Sequence, residues 1–141
     1  MPKYLLDTSY IIAHLAPDED STEIDKVFEE FYLGKIKLYV LPLTFYEVAN
    51  SLKNLVKRNR INSTDTQKLF EIFTSFHFKI IQNDFPITLG LSINYDLSFY
   101  NAAYLEASKS RGMELLTLDS QLKKWQKSSR INLEQIFYNY P

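Results

Sequence analysis

Residues 3–9, Lys-Tyr-Leu-Leu-Asp-Thr-Ser, are a short apolar run that stops abruptly at an aspartate and two hydroxyl side chains. We interpret this run as the first buried strand of a parallel sheet, which leaves Asp7 at the carboxyl end of the strand. Open α/β folds bind their ligands outside that end of the sheet. Asp-Thr-Ser is also ordinary turn and N-cap chemistry, so the meaning of Asp7 depends on whether other acids occupy equivalent positions.

Two more carboxylates follow predicted strands. Residues 37–41 are rich in β-forming side chains and precede Glu47, which lies in the first turn of the next predicted helix. Residues 114–118 form another strand candidate, which ends on Asp119. Because the carboxyl ends of parallel strands meet at one edge of a sheet, we expect these two acids to converge with Asp7.

Each acid taken singly also has a structural explanation. Thr44 and Glu47 have the spacing of a capping box, in which Glu47 would bond back to the start of its helix. Asp7 and Asp119 are typical of turns and helix caps. Taken together, however, the three acids make a pocket in which the pKa values must rise or a cation must bind.

The rest of the chain alternates helices and strands. Phe78 to Ile81 is a third strand candidate, and Gly112 is predicted to end the helix that begins at Ser98. Leu89 and Ile93 are predicted to be the buried positions of the helix that starts at Pro86. The other predicted elements are helices over 10–15 (capped by Thr8 or Ser9), 22–33, 44–56, 63–76 and 119–125, and a last edge strand within 131–137.

Composition narrows the class of protein. The 141 residues include no cysteine, which excludes disulfide scaffolds, thiolate metal sites and cysteine nucleophiles. Sixteen Lys and Arg against seventeen Asp and Glu leave a formal net charge of −1, so any nucleic-acid site must come from local clustering. Three scattered glycines argue against a phosphate-cradling loop. No signal peptide or membrane-spanning run is visible, and we expect a soluble cytoplasmic protein without membrane association.

Oxygen ligands without histidine or cysteine favour a hard cation such as Mg²⁺ or Mn²⁺. Such an ion supports the hydrolysis of phosphodiester bonds, because it neutralises the charge that develops on the phosphate. The acidic residues therefore predict a metal-assisted hydrolase.

Four blocks of sequence resemble the PIN-domain family, and especially its VapC-type toxin ribonucleases. The resemblance extends from residue 4 to about residue 137, so we treat residues 1–141 as a single PIN-like domain. The blocks, in chain order, are Leu-Leu-Asp7-Thr-Ser, Phe-Tyr-Glu47-Val-Ala, Leu-Ser-Phe-Tyr-Asn101-Ala-Ala-Tyr and Leu-Leu-Thr117-Leu-Asp119.

The resemblance implies a three-layer α/β/α fold with a central, mostly parallel sheet of four to five strands. It also implies endonucleolytic cleavage of RNA that depends on Mg²⁺ or Mn²⁺, a homodimer, and an antitoxin protein that occupies the active-site groove. Carried over by position, the metal ligands and catalytic residues would be Asp7, Glu47, Asp119 and the residue at position 101. Thr8 or Thr117 would orient these carboxylates by hydrogen bonds.

Position 101 departs from the family pattern, which has aspartate there. Asn101 lacks the negative charge but keeps one carbonyl oxygen that can bind a metal. We weigh three explanations: natural variation in a working nuclease, a change that silences a toxic protein, and a domain that has lost catalysis. Asp96, five residues earlier, is a candidate substitute for the missing acid.

Two alternatives to the toxin nuclease stay open. One is a degenerate PIN domain that binds RNA or protein without cleaving it, and the other is a housekeeping RNA-processing nuclease without an antitoxin. For partners, the aromatic helices over 22–33 and 63–76 are either core or a surface for an antitoxin or a second copy. The basic residues between 53 and 60 are either an ordinary helix end or an RNA contact.

Overall fold

The computed structural model describes residues 1–16 and 20–134. The strands are β1 (Lys3–Leu6), β2 (Lys37–Val40), β3 (Lys79–Ile80) and β4 (Glu114–Leu116). The helices are α1 (Thr8–Leu15), α2 (Thr22–Tyr32), α3 (Pro42–Lys57), α4 (Ser63–Ser75), α5 (Phe85–Asn94), α6 (Phe99–Ser110) and α7 (Ser120–Lys127).

The strands form one parallel sheet in the order β3-β2-β1-β4. In β1, Tyr4 pairs with Leu38 on one side and with Glu114 on the other. Since β1 is central, the carboxyl ends of β2 and β4 lie on either side of Asp7. The expected α/β class with a parallel sheet of four to five strands is confirmed.

Alternate residues of β1 serve two separate cores, as expected for a sheet covered on both faces. Leu5 packs in a cluster that includes Leu105 of α6, whereas Leu6 packs in one that includes Ile11 of α1 and Val48 of α3. The two cores give three layers, with α1 to α4 on one face of the sheet and α5 to α7 on the other. The site therefore lies at the end of a sheet that is packed on both faces.

Several helix ends match their sequence signals. Asn62 precedes α4, and its backbone N–H donates to Asp65 over 3.3 Å. Ser98 caps α6 by accepting from a backbone N–H at 3.0 Å. Gly112 follows α6 with a φ of 62°, a conformation that favours glycine. These ends depend on neighbouring residues only, which is why they could be predicted.

Two helix starts were predicted wrongly. Asp7 itself caps α1, because its carboxylate accepts from the N–H of Tyr10, so neither Thr8 nor Ser9 is the N-cap. Helix α3 begins at Pro42 rather than at Thr44. Proline is favoured at the first helical position, because its missing N–H would have no partner there.

The burial predicted for α5 was also wrong. Leu89 is 41% exposed and Ile93 is 68% exposed, while Thr88 and Leu91 are the residues that pack inward. Apolar residues occur around the whole circumference of this helix, so periodicity alone does not select its buried face.

The aromatic helices α2 and α4 contribute mainly to the core. Phe28 and Phe73 are at most 1% exposed, and the Phe28 ring stacks on His14 with the ring centroids 3.8 Å apart. The core alternative therefore holds for these rings, although Tyr32 and Ile72 stay exposed at the ends of the two helices.

The last segments differ from the predicted strands. Strand β4 ends at Leu116, two residues earlier than expected, and the next two residues instead donate hydrogen bonds to Asp7 and Ser9. Residues 131–134 contain no strand, and residues 135–137 lie outside the described part of the chain. Within the described residues, no helix is both long enough and apolar enough to cross a membrane.

Candidate active site

Asp7 lies where β1 passes into α1 and is only 5% exposed. Its Oδ1 accepts hydrogen bonds from the Ser9 hydroxyl at 2.6 Å and from the Tyr10 N–H at 3.3 Å. Its Oδ2 accepts from the Thr117 hydroxyl at 2.7 Å. The carboxylate is thus held from both sides at the carboxyl end of the central strand.

Two hydroxyl groups connect Asp7 to the segment that follows β4. Thr117 Oγ1, which donates to Asp7, accepts from the backbone N–H of Asp119 at 2.9 Å. Ser9 Oγ, which also donates to Asp7, accepts from the N–H of Leu118 at 2.9 Å. Each hydroxyl donates one bond and accepts another, and the two together tie the Asp7 carboxylate to the backbone of residues 118 and 119.

Asp119 caps α7 with one of its two carboxylate oxygens. Its Oδ1 accepts from the N–H of Leu122 at 2.9 Å. No donor from the described residues contacts its Oδ2. The capping explanation of Asp119 is confirmed, and capping leaves one oxygen free for a ligand.

Burial raises the pKa of Asp7 above its ordinary value. The hydrogen bonds from Ser9, Thr117 and Tyr10 oppose that rise, whereas the negative charge of Asp119 adds to it. The two carboxylates therefore interact unfavourably when both are ionised, and a bound cation would relieve the repulsion.

Glu47 lies in the second turn of α3, since that helix starts at Pro42. The capping-box explanation is wrong, because Thr44 rather than Glu47 accepts from the start of the helix, through the Leu41 N–H at 3.2 Å. Glu47 Oε1 instead accepts from the Thr8 hydroxyl at 3.0 Å. This contact joins the first helix of the chain to the third beside the end of β1.

A second donor reaches the same oxygen of Glu47. The phenol of Tyr104 donates to Glu47 Oε1 at 2.6 Å and also lies 2.9 Å from Thr44 Oγ1. Tyr104 is 2% exposed and projects from α6, on the opposite layer of the fold. The side chain of Glu47 is therefore held by groups from both α1 and α6.

Asn101 lies in the first turn of α6 and is paired with another amide. Its Nδ2 donates to Gln121 Oε1 of α7 at 2.7 Å. The carbonyl oxygen Oδ1 makes no hydrogen bond with the described residues. Asn101 thus presents an oxygen that can bind a cation, although it contributes no charge.

Asp96, the candidate substitute acid, lies between α5 and α6 with a φ of 51°. Its side chain is exposed. It makes no hydrogen bond or ion pair with the site residues described above. The structure thus gives no support to Asp96 as a replacement for the acid missing at position 101.

A family model described as "PIN domain" matches residues 4–127. That range contains both carboxylates at the strand ends and both helices that hold Glu47. The chain belongs to the PIN-domain family. The resemblance seen in the four sequence blocks is thereby confirmed.

Two relatives of this chain come from Pyrobaculum aerophilum. A protein named Ribonuclease VapC3 is 27% identical over 124 residues, which cover 85% of this chain and 92% of the relative. A protein named Exonuclease VapC9 is 28% identical over 123 residues, which cover 85% of this chain and 83% of the relative. Over most of its length the chain is thus similar to two proteins that are named as VapC nucleases.

A solved structure supports the fold. The crystal structure of PAE2754 from Pyrobaculum aerophilum superposes with a TM-score of 0.71 and 23% sequence identity. The match covers 99% of this chain and 89% of that one.

The oxygen donors of this PIN site are of the kind that a hard divalent cation binds. Among the described residues, no group of three or more His, Asp or Glu side chains is arranged to hold an ion. Mg²⁺, however, commonly binds through one or two carboxylates, waters and a substrate phosphate. Asp7 and Asp119 supply two carboxylates, and the negative charge of Asp119 acts on Asp7, so the site fits such an ion without a complete cage of acids.

Three polar residues at this site were missed at the level of sequence. Ser9 was predicted only as a helix cap, and neither Tyr104 nor Gln121 was predicted to be a site residue. Tyr104 ends the Asn101-Ala-Ala-Tyr block, and its spacing of three from Asn101 places both on one side of α6. That spacing was the available signal, but the partner Glu47 is 57 residues away along the chain.

Proposed function

We propose that this PIN domain is a metal-dependent endoribonuclease of the VapC type, which hydrolyses phosphodiester bonds in RNA. The observation that carries the proposal is the buried Asp7 carboxylate, held at the carboxyl end of the central strand beside the charge of Asp119. A buried carboxylate beside a second acid costs stability, and a bound metal ion, which PIN domains use their acids to hold, would offset that cost.

Asp7 and Asp119 would hold the ion, Mg²⁺ or Mn²⁺, with Glu47 and the Asn101 carbonyl as further oxygen donors. When bound, such an ion neutralises charge on the phosphate and promotes the ionisation of water. Ser9 and Thr117 keep the Asp7 carboxylate oriented before substrate arrives. Gln121 restrains the Asn101 amide so that its oxygen remains available.

A groove of about 600 Å³ is lined by Ser9, whose hydroxyl contacts Asp7, and would give RNA a path toward the site. Leu118 also lines the groove, together with Asn54 of α3 and Arg58, which follows that helix. Arg58 could pair with a phosphate at a distance from the scissile bond. One strand of RNA fits a groove of this kind better than a duplex, whose bases are not accessible.

The test is an RNase assay of the native chain with Mn²⁺ on linear and circular single-stranded RNA. We expect cleavage of both, because only an endonuclease can open a circle. Asp7→Asn should abolish cleavage, and Asn101→Asp should raise it by about 10²–10³, as expected for one restored electrostatic contact. Glu71→Gln removes an exposed acid of α4 and should leave the rate unchanged.

Cleavage that is unaffected by Asp7→Asn and Asn101→Asp would refute the proposal. Cleavage of linear RNA alone would replace the endonuclease by an exonuclease, the activity in the name of one relative. Asp96→Asn should leave the rate unchanged, because that side chain is exposed and has no contact with the site.

A second candidate function is a PIN domain that binds RNA or protein without cleaving it. The amide pair of Asn101 and Gln121 favours it, because a neutral pair occupies the position of an acid. Calorimetry with Mn²⁺ separates the two functions. Saturable binding by Asn101→Asp but not by the native chain supports the binding module.

The antitoxin, the homodimer and the cellular location are also proposals. An antitoxin segment would occupy the same groove as RNA, and a short reading frame beside the gene would distinguish this toxin role from a housekeeping RNA-processing nuclease. A second copy of the chain would form a homodimer through the exposed face of α5 that carries Phe85, Leu89 and Ile93. An RNA substrate is consistent with the cytoplasmic location expected from the sequence.

A further inference from the structure

Tyr104 is the most deeply buried polar side chain that contacts Glu47. It is 2% exposed, and its hydroxyl lies between Glu47 Oε1 at 2.6 Å and Thr44 Oγ1 at 2.9 Å. The Thr8 hydroxyl is farther away, at 3.4 Å. A phenol buried at this depth either only fills space in the core or also holds the carboxylate that it contacts.

The protons of this network can be assigned by counting donors. An ionised Glu47 can only accept, so the phenol proton of Tyr104 points to Oε1. Thr44 Oγ1 accepts from the Leu41 N–H and can therefore give its own proton to the Tyr104 oxygen. The network runs in one direction, from Thr44 through Tyr104 to Glu47.

Two donors converge on one oxygen of Glu47. Thr8 and Tyr104 both donate to Oε1, and no donor from the described residues contacts Oε2. The first oxygen is saturated, whereas the second is available. A flexible glutamate side chain is thereby restricted to one orientation before any ligand binds.

We propose that Tyr104 is a positioning residue, which holds Glu47 through Oε1 so that Oε2 is the oxygen offered to a cation or a water in the active site. This inference rests on the proposed function and deepens it, because it assigns a role to a residue outside the set of metal-binding positions. Partners that orient a ligand side chain typically contribute 10- to 100-fold to metal affinity or activity.

The test compares Tyr104→Phe with a matched tyrosine outside the site. Tyr104→Phe removes the hydroxyl and keeps the buried ring. Tyr95→Phe removes a hydroxyl that donates to the Arg130 carbonyl at 2.9 Å, far along the chain from Glu47. We expect Tyr104→Phe to weaken Mn²⁺ binding, measured by calorimetry, and to lower kcat by about 10- to 100-fold with little change in KM. Tyr95→Phe should leave both Mn²⁺ binding and kcat unchanged.

A double-mutant cycle separates positioning from general stability. In a Glu47→Ala background, Tyr104→Phe should cause no further loss of Mn²⁺ affinity or kcat, because Tyr104 acts through Glu47. Thermal unfolding of each variant checks that it is folded. Should Tyr104→Phe fail to fold, Thr8→Val removes the other donor to the same oxygen and carries the same expectation.

The outcomes distinguish a failure of the positioning role of Tyr104 from a failure of the proposed nuclease function. If the native chain cleaves RNA and Tyr104→Phe matches it in kcat and Mn²⁺ affinity, the positioning role is overturned and the nuclease stands. If the native chain binds Mn²⁺ but cleaves no RNA, the proposed function fails and the comparison of Mn²⁺ affinities still decides the role of Tyr104. If the native chain binds no Mn²⁺, both are overturned.

Discussion

At the scale of single residues, Asp7 shows the conflict between stability and function most directly. Its carboxylate is almost fully buried, and its pKa is raised mainly by that burial. A raised pKa means that the folded protein binds this proton more tightly than the unfolded chain does, so ionisation at neutral pH costs stability. The site retains a charge that the fold would be more stable without.

Asp7→Asn is therefore expected to stabilise the protein at pH 7 while it abolishes cleavage. A gain of about 1 kcal/mol would raise the Tm by about 3 °C for a chain of this length. The measurement is thermal unfolding of both proteins without metal. The size of this gain depends on pH: the advantage of the variant should shrink as the pH falls through the raised pKa of Asp7 and vanish below the ordinary value for aspartate.

Glu71→Gln is the control for this experiment, because it removes the charge of an exposed acid and should leave the Tm almost unchanged. An Asp7→Asn variant that is less stable than the native chain at pH 7 would show that the hydrogen bonds from Ser9 and Thr117 outweigh the cost of burial.

At the scale of elements, the sequence predicts whatever depends on neighbouring residues. The strand that ends at Asp7, the start of α6 at Ser98 and the end of that helix at Gly112 all follow from local chemistry. The identity of the inward face of α5 does not, because apolar residues surround that helix and only its packing on α6 selects a face. Glu47 was likewise explained by a nearby cap, whereas its real partners come from α1 and α6.

The cap of α6 offers a test at this scale, because that helix carries both Asn101 and Tyr104. Ser98→Ala removes the acceptor for the Asn101 N–H and should destabilise the protein by about 1 kcal/mol. Thermal unfolding measures the loss. Ser92→Ala is the matched control, since its hydroxyl only bonds back to the Leu89 carbonyl within α5 and its removal should cost little. Equal losses in both variants would contradict a capping role for Ser98.

At the scale of the whole molecule, the two cores leave the outer face of α5 uncovered. Phe85, Leu89 and Ile93 lie four residues apart along α5 and are 62%, 41% and 68% exposed. The helix, residues 85–94, contains no charged side chain. A face without charge suits a second copy of itself, because a two-fold contact brings each residue near its own equivalent and like charges would repel.

We therefore expect a homodimer that packs α5 against its equivalent in a second copy. Ile93→Glu should convert the dimer to a monomer, since it would bring a charge and its two-fold equivalent into an apolar contact. Light scattering across a concentration series measures the mass. Ile72→Glu is the matched control, because Ile72 is 45% exposed on α4, across the sheet from α5, and its replacement should leave the dimer intact. A native chain that stays monomeric at high concentration would refute the dimer, and a dimer disrupted equally by both changes would move its interface away from α5.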